Sequence, residues 1–163
     1  MYGYQLKRLV ERDRVLRGKF LGVFSKNTLP RLVQGREAAF ISNTQHSSRV
    51  GKHWISFYYT SKKVLFILDP LSKPIRSYGE EFVDFINTLK PKRVIQLKRA
   101  VQDEKKSKLC GYFNILFLYF LVRHYPLMYI LHEKLRTNPR DNDVIVEKFI
   151  RQKFGYKSKE IKI

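Results

Sequence analysis

A chain of 163 residues, 44% hydrophobic and 14% aromatic, is long enough to bury a core and too apolar to stay disordered. Its single cysteine excludes an intramolecular disulfide framework and fits a reducing compartment, and the opening Met1-Tyr2-Gly3-Tyr4-Gln5-Leu6-Lys7-Arg8 lacks the apolar core of a secretory signal. The 33 Lys and Arg against 14 Asp and Glu leave +19, spread over the whole length, a field that attracts polyanions such as nucleic acid.

Residues 4–17 read as a first helix, with Leu6, Leu9, Val10 and Leu16 on one face and Gly18 ending it. Residues 20–24 are a short extended piece, and 38–42 a buried strand. The runs 54–59 and 64–68 are rich in β-formers and are separated by Thr60-Ser61-Lys62-Lys63, which predicts a hairpin with a four-residue loop. Asp69-Pro70 stops the second strand. Residues 80–89 form a helix with Phe82, Phe85, Ile86 and Leu89 on one face and Glu80 and Glu81 at its positive end. Residues 93–97 are a further strand, and 98–109 a charged loop.

Residues 110–124 are the central helix. Its apolar run is shorter than the roughly 18–20 residues that span a bilayer, so it is expected to be buried in protein. Helices follow at about 127–136 and at 142–154, with Gly155 as cap and a basic tail over 156–163. No repeat or biased linker divides the chain, so residues 1–163 are expected to form one domain. The order predicts an α+β fold, a mostly antiparallel sheet packed on the central helix.

Cys110 opens that helix, where unpaired N–H groups and the helix dipole favour a thiolate. With 60–63 as the loop, Tyr59 pairs with Val64, Phe57 with Phe66 and Ile55 with Leu68. His53 then enters, and Asp69 leaves, at the same open end of the hairpin. A histidine oriented by a carboxylate and facing a helix-capping cysteine is what nucleophilic acyl transfer needs. Gln96 and Gln102 are the upstream amides that could supply an oxyanion donor. The bland alternative is a structural histidine, a turn aspartate and an inert buried cysteine.

Several segments, taken as a set, resemble the adenovirus protease (adenain) family. They are Phe20-Leu21-Gly22-Val23-Phe24, Ile41-Ser42-Asn43-Thr44, Gly51-Lys52-His53-Trp54-Ile55-Ser56-Phe57, Leu68-Asp69-Pro70, Gln102 and Cys110-Gly111, in that order. Residues 24–30 also resemble the adenain-like proteases of Maverick/Polinton elements. The resemblance covers roughly 18–124; the helical C-terminal third, 125–163, does not share it.

The resemblance implies the fold of the adenain and ubiquitin-like-protein proteases. It implies His53 as general base and acid, Asp69 as third member, Cys110 as nucleophile and Gln102, rather than Gln96, as oxyanion donor. Trp54 is either a wall of the substrate site or core packing. It further implies cleavage of viral precursor proteins at Gly-containing motifs during particle maturation, in the virion and the host nucleus or cytoplasm, with DNA as a stimulator.

Adenovirus enzymes also use a disulfide-linked activating peptide. Here Cys110 would be the nucleophile and is the only thiol, so an activating peptide would have to bind without a covalent bond. No metal or small-molecule cofactor, no membrane and a monomeric chain are expected. His46, His124 and His132 lack metal-ligand spacing. Two other functions fit the residues: a protease of ubiquitin-like modifiers with the same fold, and a non-enzymatic basic DNA-binding core protein.

Overall fold

The strands at the middle of this chain are apolar on both faces, and both faces are covered. The computed structural model describes residues 1–155, so the basic tail expected at 156–163 lies outside the described residues. Five strands, β1 (Phe20–Ser25), β2 (Ala38–Asn43), β3 (Trp54–Tyr59), β4 (Val64–Leu68) and β5 (Arg93–Gln96), form one sheet in sequence order. The two central pairings are antiparallel and the two outer ones, β1 with β2 and β4 with β5, are parallel. The sheet is therefore mixed, where a mostly antiparallel one was expected. Parallel pairing needs a crossover, and local pattern does not reveal which strand a crossover rejoins.

On one face Phe40, Phe57, Tyr59, Leu65 and Ile67 pack against Phe82 and Leu89 of helix α3 (Glu80–Leu89). On the other, Ala39, Ile41, Tyr58 and Leu68 pack against helix α4 (Cys110–Leu121), with α1 (Gly3–Val10), α2 (Arg14–Arg17) and α6 (Asn142–Phe154) around it. In α4 only Tyr119 escapes full burial. A helix that is apolar all round must be enclosed, and this one is.

Three expectations shift. The first helix is two: Asp13 turns extended and its carboxylate accepts the Leu16 N–H at 2.7 Å, so it caps a new turn. The segment after α4 is a short helix, α5 (Leu127–Tyr129), running into a π-turn at Ile130–Lys134. The hairpin is slipped by one residue: Tyr59 pairs with Leu65 and Phe57 with Ile67. Thr60 causes the slip. Its N–H donates to Val64 O, its Oγ1 accepts from Val64 N, and Lys63 takes φ 63°, which leaves a three-residue loop.

Candidate active site

The hairpin's open end carries His53 and Asp69, as its geometry requires. His53 Nε2 lies 2.7 Å from Asp69 Oδ1. The Asp69 carboxylate also accepts the N–H groups of Leu71 (2.9 Å) and Lys73 (3.0 Å) and the hydroxyl of Tyr78 (2.7 Å). Burial pushes the Asp69 carboxyl up, but the His53 hydrogen bond and charge, then Tyr78 and the Leu71 N–H, hold it below the usual range. Burial likewise works against a charged His53. The hydrogen bonds to Asp69 and to Cys110, with the charge of each, outweigh it and raise the imidazole from its ordinary value to about 9. Nε2 is engaged by Asp69, so Nδ1 is the ring atom left for Cys110.

Cys110 is the first residue of α4. The first N–H bonded back within this turn belongs to Tyr112, which reaches Leu109 O at 2.9 Å, so those of Cys110 and Gly111 lie ahead of the helix ladder. Asn114, one turn on and fully buried, donates Nδ2 both to Cys110 O (2.9 Å) and to Trp54 O (2.6 Å). This bond joins the helix start to the residue after His53. Gly111 has a steric reason: a Cβ there would stand 2.6 Å from Leu6 Cδ2 and 2.7 Å from Met1 Sδ. The bare position lets Leu6 and Met1 lie close against the head of α4.

Cys110, His53, Trp54, Tyr78 and Gln102 line one cleft of about 550 Å³. A larger hollow of about 650 Å³, between residues 26–34 and α3, holds none of them. Gln102 is buried; its Nε2 donates to Ser107 O at 3.2 Å and its Oε1 has no partner. Gln96 stands apart on β5, with its side-chain oxygen on Ile75 N. Trp54 does two things: its ring borders the cleft, and its Nε1–H donates to Met1 O at 3.2 Å.

Sequence reasoning missed Tyr78 and Asn114. Tyr78 sat in a loop with no pattern to read. Asn114 did carry a signal, because an amide inside an otherwise apolar helix must have partners.

An α+β fold with a cysteine at the head of its central helix, facing a histidine and an aspartate on a hairpin, is that of the adenain and ubiquitin-like-protein proteases. Residues 20–140 match the family model described as adenovirus endoprotease, and the chain belongs to that family. It is 28% identical over 142 residues to the protease of avian adenovirus 8, covering 81% of this chain and 64% of that one. The chain thus spans a little under two thirds of the length of this relative.

Among solved structures it is similar to the ASFV protease, with TM-score 0.50, 13% identity, and coverage of 71% of this chain and 44% of that one. It is also similar to the central domain of an uncharacterized Legionella pneumophila protein, with TM-score 0.50, 14% identity and coverage of 93% and 97%. At these identities the likeness is one of fold.

Proposed function

We propose that this chain is a viral cysteine endopeptidase that hydrolyses peptide bonds in virion precursor proteins at Gly-containing motifs during particle maturation. The observation that carries the reading is the 2.7 Å contact of His53 with Asp69, with Cys110 at a helix start on the other side of the imidazole. Family membership over residues 20–140 supports it.

Cys110 Sγ, its proton already held on His53, attacks the scissile carbonyl as the thiolate of an ion pair. Charge on the carbonyl oxygen is met by the Cys110 N–H and by the Nε2 hydrogen of Gln102 that Ser107 leaves free. His53 then protonates the leaving amine. It next takes a proton from water, which attacks the thioester and releases the acid. Asp69 holds the ring in one tautomer and offsets its charge throughout. Trp54 walls the substrate channel next to the histidine.

The +19 charge supports stimulation by DNA, and with it a place in the virion and the host nucleus or cytoplasm. An activating peptide, where there is one, binds without a disulfide to these residues, because their one thiol is the nucleophile. The working unit is a monomer that needs no metal or small-molecule cofactor.

The test is cleavage of a Gly-motif peptide by wild type, Cys110→Ala and His53→Ala, with and without DNA. Cleavage by wild type alone is expected. Equal rates in all three would end the protease reading, and a modifier conjugate cut in preference to the peptide would redirect it to ubiquitin-like substrates.

A further inference from the structure

The C-terminal third reaches the cleft through one loop. Gln102 lies between β5 and α4, and the residues flanking it at alternate positions are each held from the C-terminal segment. Arg99 Nη2 donates to Leu131 O at 2.7 Å, Asn142 Nδ2 to Val101 O at 2.9 Å, and Arg140 Nε to Asp103 Oδ2 at 3.2 Å. From the opposite side Pro70 O accepts both Val101 N (2.8 Å) and Gln102 N (3.1 Å), one residue beyond Asp69. The backbone under Gln102 is clamped between the hairpin's exit and the C-terminal helices.

Asn142 is the centre of this clamp. It is 0% exposed. Its Oδ1 accepts Arg136 N at 2.7 Å, and its Nδ2 also donates to Arg136 O at 3.0 Å. An apolar side chain would fill the same space without the cost of desolvating an amide. The amide joins three backbone groups from two segments, which no apolar side chain can do. Gln102 itself has one side-chain hydrogen bond, to Ser107 O, so its aim follows the backbone of its loop. Oxyanion donors lose effect when displaced by a fraction of an ångström to an ångström.

We infer that Asn142, assisted by Arg99 and Arg140, is a positioning residue that sets the loop bearing Gln102. The C-terminal third is then a part of the oxyanion-binding machinery. The inference rests on the reading of Gln102 as oxyanion donor given above.

The experiment is a double-mutant cycle of Asn142→Asp with Gln102→Ala, read by peptide cleavage and by alkylation of Cys110 with iodoacetamide. Asn142→Asp keeps the acceptor for Arg136 N and loses the donor to both Val101 O and Arg136 O. In the wild-type background kcat falls about 10-fold with KM within about twofold. In the Gln102→Ala background it falls no further. Alkylation, which uses the Cys110–His53 pair but no oxyanion donor, keeps its wild-type rate. A wild-type kcat, an equal loss in both backgrounds, or an equal loss in alkylation overturns the inference.

Should Asn142→Asp fail to fold, Arg140→Ala decides, since its exposed side chain can be removed without opening the core. A kcat fall of about 2- to 3-fold that vanishes in the Gln102→Ala background supports the clamp, while equal falls in both or none in either remove it. A wild type that cleaves no peptide refutes the protease reading and the clamp with it. An active wild type with unaffected variants removes the clamp alone.

Discussion

His53 Nε2 and Asp69 Oδ1 stand 2.7 Å apart, 16 residues apart in sequence, because one strand begins just after the first residue and its hairpin partner ends just before the second. The pair survives a one-residue slip of the hairpin register, since both residues sit at its open end. Their coupling gives the first expected outcome. Asp69→Asn removes the charge that offsets the cost of burying the imidazolium, so the His53 ring titration moves down from about 9 toward or below the ordinary 6.5. Ring-proton NMR across pH 5–10 reads this directly. Peptide hydrolysis falls about 10⁴-fold in the same variant, through the wrong tautomer and a lost counter-charge.

The same coupling fixes how stability depends on pH. His53 is raised on folding, so its contribution is complete below its ordinary 6.5 and disappears as pH rises through about 9. Asp69 is lowered, so its contribution is complete above its ordinary value, about 4, and is lost as pH falls through its folded value. The pair therefore stabilises most between about pH 4 and 6.5. Urea unfolding of wild type and His53→Ala is expected to differ most in that window and to fall to a smaller, pH-independent packing difference above about pH 9; a difference that is the same at every pH would show that the ion pair adds nothing.

Tyr78 donates to the oxygen of Asp69 that His53 does not use, and its ring centre lies 5.9 Å from that of the histidine. Tyr78→Phe keeps the ring and removes the donor. A hydrogen bond to a charged acceptor is worth about 1.5–3 kcal/mol, and Tyr78 is half-buried, so about 1 kcal/mol of stability is expected to go. Activity falls about 3- to 10-fold as the carboxylate gains freedom. Denaturant midpoints and kcat measured on one preparation separate the two effects.

The two glutamines offer a discriminating pair. Gln102→Ala is expected to lower kcat about 10²-fold with little change in KM, as loss of an oxyanion donor does. Gln96→Ala, on β5 outside the cleft, is expected to leave kcat within about twofold. Equal effects would mean that Gln102 acts only by packing.

Much of this arrangement was legible in the residues. Strands 54–59 and 64–68, helix 80–89, the cysteine-headed helix and the last helix at 142–154 stand where period and composition put them. What escaped was decided by single side chains or by distance along the chain. Thr60 shortened the hairpin loop and Asp13 restarted a helix, yet both look like ordinary polar residues before the fold exists. The parallel edges of the sheet, Tyr78 beside Asp69, and Asn142 beneath Gln102 are contacts made across the fold, and no local period encodes them. Asn114 carried a sign that could have flagged it, an amide inside an apolar run, whereas Asn142 stands between Asp141 and Asp143 and looks like an ordinary turn residue.

Gly111 is the last test, of how α1 meets the site. Helix α1 lies against the head of α4 through Leu6 and Met1, and Met1 O holds the Trp54 indole. Gly111→Ala puts a methyl 2.6 Å from Leu6 Cδ2 and 2.7 Å from Met1 Sδ, so one or both must move. Overpacking of this kind costs about 1–3 kcal/mol. Both neighbours are side-chain ends, so the strain is relieved by shortening one of them. Leu6→Ala alone opens a cavity and destabilises by about 2–5 kcal/mol. Combined with Gly111→Ala, it is expected to cost less than the sum of the two single changes, by about 1 kcal/mol. Additive losses would place the strain of the added methyl on Met1 rather than on Leu6. Trp54 fluorescence reports the displacement of α1 independently, because its indole loses the Met1 carbonyl when that segment shifts.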